Sequence, residues 1–397
     1  MPGINKFAKL TSVESALQAL LNLCSPIGRT VKVDLEYADG RVVSRDVIAP
    51  RDNPHYDVCQ VDGYAVRACD TAGCQGGRVL RPAAGGQVGH GTYVQVHTGG
   101  ALPEGADAAV RMEDTDPAEG GRLFYNEVKA GENVLARGSI LRKGDVACAA
   151  GIQLKPTDIA LLAKLGLTGV EVFERPRVLI VPTGDELVER GKEPGPGTVN
   201  ESNGIMCFLF IKRYGGKPAL YDIVRDDPSR IAEALKMGSR YDLIVTTGGT
   251  SVGVRDRMEE VVSRMGKVLV HGVALKPGRP MGIGYVESGD RRTPIVFLPG
   301  LTEACASTML TFVVPAIRKL GHYPPLHPRR EKARLTRGLP GFPGANAFHK
   351  LYIEGGMATP VPLMGGAPRP GDYVYAIVPE SIEKYEEGEE VETVYLE

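Results

Sequence analysis

The sequence predicts a multidomain α/β protein: a three-layer α/β domain on a parallel sheet, a β-rich insertion domain, a small split α+β domain, and a C-terminal β-barrel-like domain. Three observations carry this. Between Pro176 and Tyr323, short apolar runs alternate with amphipathic helical segments. Runs such as "VLIV" from Val178 and "LIV" from Leu243 lack polar alternation, which marks strands buried on both faces of a parallel sheet. From about Asn53 to Arg142 the helical period disappears and glycines punctuate short alternating runs, and a similar texture returns from Pro324 onward. The expected boundaries are 1–52 with 143–175 for the split linker and dimer domain, 53–142 for the insertion, 176–323 for the α/β domain, and 324–397 for the C-terminal β domain.

Taken in order, Thr11-x-x-Glu14 reads as a capping box that opens a helix with Val13, Leu17, Leu20 and Leu21 on one face. Asp39-Gly40, flanked by alternating runs, predicts a hairpin. The 53–142 segment reads as a compact, barrel-like β unit. "LKPTDIALLAKLG" restores helical spacing, with Pro156 in its first turn and Gly166 past its end. Then come the strand "RVLIV", the helix "NGIMCFLFIKRYGG", the strand "PALYDIV", the helix "DPSRIAEALKMG" and the strand "DLIV". The helix "DRMEEVVSRMG", three strands ("KVLVHGV", "MGIGYV", "TPIVFL") and a long final helix that Pro315 should kink complete the alternation.

Composition excludes several function classes. The 397 residues carry 47 basic and 48 acidic side chains, a net charge of −1 that gives no electrostatic case for nucleic acid or an anionic membrane. Trp is absent and aromatics are 6%, which weakens base stacking as a binding mode. Seven scattered cysteines, with no Cys-x-x-Cys, argue for free thiols over a disulfide framework or structural zinc. None of the seven histidines stands at a metal-ligand spacing. No signal peptide or run of membrane-span length is evident, so a cytoplasmic location is expected. Nucleophile-elbow, P-loop and dinucleotide-turn motifs are missing too.

Chemistry collects in the loops that follow the α/β strands, because open parallel sheets bind ligands at the carboxyl ends of their strands. Those loops carry Pro182-Thr183-Gly184-Asp185-Glu186, Arg225-Asp226-Asp227, "TTGGTSVGVRD" (Thr246–Asp256) and Pro299-Gly300-Leu301-Thr302. Gly248, Gly249 and Gly253 free the main chain for close approach, and their amides with the Thr250 and Ser251 hydroxyls suit an oxyanion. Lys276 and Arg279 flank a Pro-Gly turn that holds both cations. Glu186, Asp226 and Asp256 would repel an anion unless a divalent cation sits between, the usual way carboxylates and phosphate oxygens share Mg²⁺. Asp227, directly before Pro228, reads as a helix cap instead. In the insertion, Asp62 of "VDGYAV" and Thr98-Gly99-Gly100 hint at a second binding wall.

Together "DGYAV", "TGGALPEGADAAV", "PTGDEL", "RDDP", "TTGGTSVGVRD", "KPGRP" and "LPG" resemble the molybdopterin molybdenumtransferases, the MoeA family that includes the gephyrin E-domain. The resemblance implies an elongated homodimer of four-domain subunits. It further implies Mg²⁺-dependent insertion of molybdate into adenylylated molybdopterin, with release of AMP, in a cleft between the α/β domain of one subunit and the insertion of the other. A partner supplying the adenylylated pterin is compatible with this. Carried over by motif, Glu186, Asp226 and Asp256 match the family's functional acids and hold the metal, and with Asp62 they are the expected catalytic residues. Asp62 and Thr98 reach in from the partner. Thr183, Gly184, Gly248, Gly249, Ser251, Gly253, Lys276, Arg279, Pro299, Gly300 and Lys350 bind substrate. The chain departs from the family pattern at Ile140, Leu301 and Met364-Gly365-Gly366, where polar residues are usual. These departures motivate tungstate as the oxyanion, or a weakened member kept for binding or scaffolding.

Overall fold

A computed structural model describes residues 10–248, 257–363 and 371–395. The chain forms two compact units: Lys32–Val172, and residues up to Val31 together with those from Phe173 on. No helix among the described residues is long and apolar enough to cross a membrane.

In the larger unit, helix α1 (Val13–Leu23) packs on the sheet domain. Its cap is Ser12, whose hydroxyl accepts from Ser15 N–H at 3.2 Å, and not Thr11 as the capping-box pattern suggested. Thr11 is drawn away by sheet-like pairing: its N–H donates to Gly272 O and its carbonyl accepts from Ala274 N–H.

The Lys32–Val172 unit contains helix α2 (Pro156–Lys164) and a six-stranded sheet. The strand order is Ala108–Arg111, Gly63–Val66, Thr92–Val96, Arg78–Pro82, Gly121–Phe124, Thr115–Ala118. Thr92–Val96 and Arg78–Pro82 meet through two residue pairs, so the sheet is two three-stranded halves joined edge to edge, and its end strands stay apart where a barrel was expected. The hairpin at Asp39-Gly40 is also corrected. Gly40 does turn the chain at φ +69°, but Val42 bridges to Gln153, Val43 to Val172, and Val47–Ile48 to Val146–Cys148. The partner of this segment lies on the far side of the insertion in sequence, out of reach of a local pattern.

The α/β domain adds α3 (Asn203–Arg213), α4 (Pro228–Gly238), α5 (Arg257–Met265), α6 (Thr302–Thr308) and α7 (Val314–Leu320). Its sheet runs Lys217–Leu220, Arg177–Pro182, Leu243–Thr247, Arg291–Leu298, Gly282–Ser288, Gly266–His271. The first four strands pair in parallel, and Gly282–Ser288 runs antiparallel to both of its neighbours, Arg291–Leu298 and Gly266–His271. Two residues separate Ser288 from Arg291, a length that closes a hairpin but not a parallel crossover. Successive residues face opposite layers. Val178, Ile180, Leu243, Val245, Val296 and Leu298 join the cluster with α1, α3, α6 and α7. Leu179, Val181, Ile244, Ile295 and Phe297 join the cluster with α4 and α5. Both faces are covered, which is why these strands are apolar throughout. Ahead of Pro315 the last helix widens into a π turn, Met309–Val313, which takes up the missing N–H without breaking the rod.

Five C-terminal strands close on themselves in the order Asn346–Glu354, Met357–Val361, Arg330–Leu335, Glu390–Val394, Asp372–Val378 and back to Asn346–Glu354. Leu335, Leu351, Ala358, Val374 and Val391 fill the barrel. A short strand of the α/β domain, Leu275–Lys276, pairs in parallel with Asn346–Ala347.

At the amino ends of the sheet strands, buried Asp242 accepts from Arg29 at 2.6 and 3.1 Å and from Arg177 N–H at 2.8 Å. Removing the carboxylate would leave the Arg177 amide and two Arg29 donors unmatched, while Arg29 Nε keeps its 3.0 Å bond to Glu174. Asp242→Ala is expected to cost about 3 kcal/mol in urea unfolding, while Arg264→Ala, an exposed pair on α5, should cost less than ~0.5 kcal/mol.

Candidate functional site

Hydrogen bonds between strand ends assemble the expected loops. Thr183 N–H and its hydroxyl both donate to Thr247 O, at 2.8 and 3.2 Å. Gly184 N–H donates to Val224 O and Gly248 N–H to Leu298 O, each at 3.1 Å. Gly248 sits at φ +89°, where a Cβ would lie 2.2 Å from Thr183 O, so no other residue fits this crossing. A Cβ on Gly184 would lie 2.7 Å from the Glu186 carboxylate, so that glycine lets Glu186 fold back over the loop.

These bonds correct one expectation. Glycine was read as freeing amides for an anion, yet the Gly184 and Gly248 amides are spent on neighbouring strands. Their contribution is space. Gly249, Ser251, Gly253 and Asp256 lie outside the described residues, as do Thr250 and Met364-Gly365-Gly366.

The result is a cavity of about 190 Å³ that brings together Thr183, Glu186, Gly248 and Gly300, with Thr247, Thr302 and the start of α3 as its other walls. Pro299 is buried just ahead of Gly300, and Asn203 Nδ2 fastens the loop by donating to Gly300 O at 2.7 Å. A larger cavity of about 670 Å³ adjoins it, lined among others by Tyr221, Asp222, Arg190, Lys192 and Arg225. Leu187 and Glu201 line both.

Acidic charge concentrates at one edge. Asp226 N–H donates to Asp185 Oδ1 at 3.1 Å, and Arg225 donates to the Asp185 carbonyl. Asp226 Oδ1 is shielded from solvent with no partner among the described residues. Burial, then the charges of Asp185 and Glu186, push the Asp226 carboxyl above its usual range, against the pull of Arg257. A shielded, unpartnered carboxylate oxygen among like charges suits a divalent cation. No three acidic, His or Cys side chains among the described residues could hold a metal alone, but Mg²⁺ binds through one or two carboxylates and completes its shell with substrate phosphate and water. Asp226 and Glu186 fit that pattern. Asp227 is the cap of α4, accepting from Ser229 and Arg230 N–H, and these bonds with the Ser229 hydroxyl hold its carboxyl low.

The predicted cations gather elsewhere, at the seam between the α/β domain and the barrel. Lys276 Nζ lies 3.7 Å from the Phe342 ring centroid and the Arg279 guanidinium 5.8 Å from it. One ring thus holds both charges. Arg279 Nε is shielded without a partner among the described residues. The Pro277 carbonyl accepts from Ser307 on α6 at 2.5 Å, so the helix that starts at the small cavity also steadies the cationic turn. Lys350 Nζ lies over Tyr373 at 4.8 Å.

In the other unit, Asp62 and Thr98 come together as the weak second-wall signal suggested. Thr98 N–H donates to Asp62 Oδ1 at 2.9 Å, with His97 Nδ1 at 3.5 Å, and both residues are exposed. Of the departures from the family pattern, Ile140 is 54% and Leu301 65% exposed, so neither is held by packing.

Sequence reading missed Asp185 as a charge source, Phe342 as the cation platform, and Glu201 and Asn203 as cavity walls. "NESN", an acid and two amides at a strand-to-helix junction, was the available signal for the last two.

Because the fold raises the Asp226 carboxyl, its ionised form works against the folded state once pH rises through that raised value. In Mg²⁺-free buffer at pH 7.5, Asp226→Asn is therefore expected to melt at or above the wild-type temperature, and added Mg²⁺ should raise the wild-type melting point only. Gly248→Ala should cost about 1–3 kcal/mol by denaturant unfolding.

Known proteins agree with this architecture. Residues 11–166 match the MoeA N-terminal region (domain I and II), and residues 179–319 match the probable molybdopterin binding domain. A molybdopterin molybdenumtransferase of Nostoc sp. is 31% identical over 80% of this chain and 76% of its own. One from Haemophilus influenzae is 31% identical over 74% and 73%. The crystal structure of a molybdopterin biosynthesis MoeA protein from Pyrococcus horikoshii OT3 covers 98% of this chain and 100% of its own, with a TM-score of 0.76 at 30% identity. Two domain matches in the right order and full-length structural likeness, on a fold that brings three of the motif loops to one cavity, show that the chain belongs to the molybdopterin molybdenumtransferase (MoeA) family of molybdenum cofactor biosynthesis enzymes.

Proposed function

We propose that the protein inserts molybdate, or the chemically close tungstate, into adenylylated molybdopterin with Mg²⁺ and releases AMP. The observation that carries this reading is the shielded Asp226 oxygen, without a partner among the described residues, set near Asp185 and Glu186 and next in sequence to Arg225, while Glu186 and Arg225 each line one of the two cavities. Asp226 and Glu186, with Asp256 from the loop outside the described residues, would hold Mg²⁺. Bound there, the ion supplies Lewis-acid polarisation of phosphoryl oxygens.

The chain's own groups divide the remaining work. Lys276, Arg279 and Lys350, steadied on Phe342 and Tyr373, attract a tetrahedral dianion and keep it oriented. Thr183, Gly248 and Gly300 line the small cavity and leave room for the pterin. Asp62 and Thr98, paired and exposed, are available to a second copy, which motivates a homodimer with each site completed by the partner. A protein that delivers the adenylylated pterin directly would spare a labile dithiolene from solvent. The exposed apolar Leu301 at the cavity mouth, where the family is polar, supports a second reading as a binding or scaffold member.

The test is AMP release from adenylylated molybdopterin on addition of Mg²⁺ and molybdate. Turnover is expected, with tungstate competing. Asp226→Asn should lower kcat at least about 100-fold, equivalent to ~3 kcal/mol of transition-state stabilisation, and Lys276→Ala should chiefly raise the molybdate KM. Tight substrate binding with no AMP release would instead establish the scaffold reading.

A further inference from the structure

Glu201 has a job that its place in the fold does not explain. It is 5% exposed, stands between the Val199–Asn200 strand and α3, and forms a wall common to the 190 Å³ and 670 Å³ cavities. Its backbone is fixed by an N–H donated to Val188 O. Its carboxylate accepts from Gly204 N–H, its one hydrogen-bond partner among the described residues. A Cβ on Gly204 would approach Glu201 Oε1 to 3.0 Å and Leu220 to 2.8 Å, so the glycine is what lets the acid tuck in. Two residues on, Asn203 Oδ1 is shielded from solvent and has no partner among the described residues.

A carboxylate can only accept, and a buried one is costly unless it is well supplied with donors. A single amide supplies one. Capping α3 would not require a charge either, since an uncharged Gln at this position could accept the same N–H. The unmet demand is for donors arriving from within the cavity, and for two or more of them, since Asn203, another wall of the same cavity, has an Oδ1 without a donor among the described residues.

The two heterocycles of the substrate assigned above differ on this point. A 2-amino-4-oxopteridine presents an amino group next to a ring N–H, two adjacent donors that match one carboxylate. The Watson–Crick edge of adenine presents a donor beside an acceptor. We infer that Glu201, with Asn203, recognises the amino–N–H edge of the pterin and so sorts the pterin half of the substrate from the adenylate half. The inference rests on the adenylylated-pterin reading, but it concerns recognition and not metal chemistry.

The test uses the full chain and three probes: 2-amino-4-oxopteridine and 2,4-dioxopteridine, followed by their fluorescence, and AMP. The dioxo compound puts a carbonyl where the amino group was, facing the acid. Wild type should prefer the 2-amino compound by at least about tenfold, because a site built to accept from an N–H group rejects the analogue lacking it. Glu201→Gln keeps the Gly204 bond and should abolish the preference while changing AMP affinity less than about twofold. Glu201→Asp should restore part of it. If wild type binds the two pteridines equally, the assignment is wrong whatever the variants do. If Glu201→Gln keeps the preference, or weakens pteridine and AMP alike, Glu201 is only a helix cap. AMP bound without pteridine discrimination removes the pterin assignment alone, whereas failure to bind any of the three probes removes the adenylylated-pterin reading as well.

Discussion

A sheet whose strands are apolar on both faces leaves polar chemistry one place to go, the strand ends. Val178 to Val181 and Leu243 to Val245 are buried by helices on either side, so a charged group within them would meet hydrocarbon in both directions. The glycine-bearing walls of the small cavity are therefore carried by the residues just past Pro182, Thr247 and Leu298. The bonds from Thr183 to Thr247 and from Gly248 to Leu298 continue the sheet for one more residue and align those ends. The cavity is a consequence of that alignment.

Charge is then arranged by separation. Burial first, and then the neighbouring charges of Asp185 and Glu186, raise the Asp226 carboxyl above its usual range, an environment that favours a cation. Lys276 and Arg279 are instead gathered on a shared aromatic ring, Phe342 of the C-terminal domain. A flat π face attracts cations without neutralising them, so both remain available to an oxyanion.

The α6 segment couples these regions physically. It begins beside Gly300 at the small cavity, and Ser307 on it holds the Pro277 carbonyl. The π turn that follows allows Pro315 to stay in the rod. A movement at the cavity mouth has a rigid element through which to reach the cationic turn, because a helix transmits displacement along its axis with little loss.

Local pattern was enough for what depends on neighbours in sequence. Apolar runs identified doubly buried strands, glycine loops marked their functional ends, and Asp227 before Pro228 was recognisable as a cap. Motif order identified the family, and with it Thr183, Glu186, Gly248 and Gly300, which the fold does bring to one cavity. Tertiary structure alone decided the rest. Thr11 lost its cap role to pairing with residues 272–274, and the Asp39-Gly40 turn found its partners beyond the insertion. The amides of Gly184 and Gly248 were claimed by adjacent strands, Phe342 came from the barrel to hold two cations, and Glu201 became a wall between two cavities. Each of these is a contact between residues far apart in the chain. Sequence reports the propensity of a group to seek a partner, and only the folded chain determines which partner is within reach.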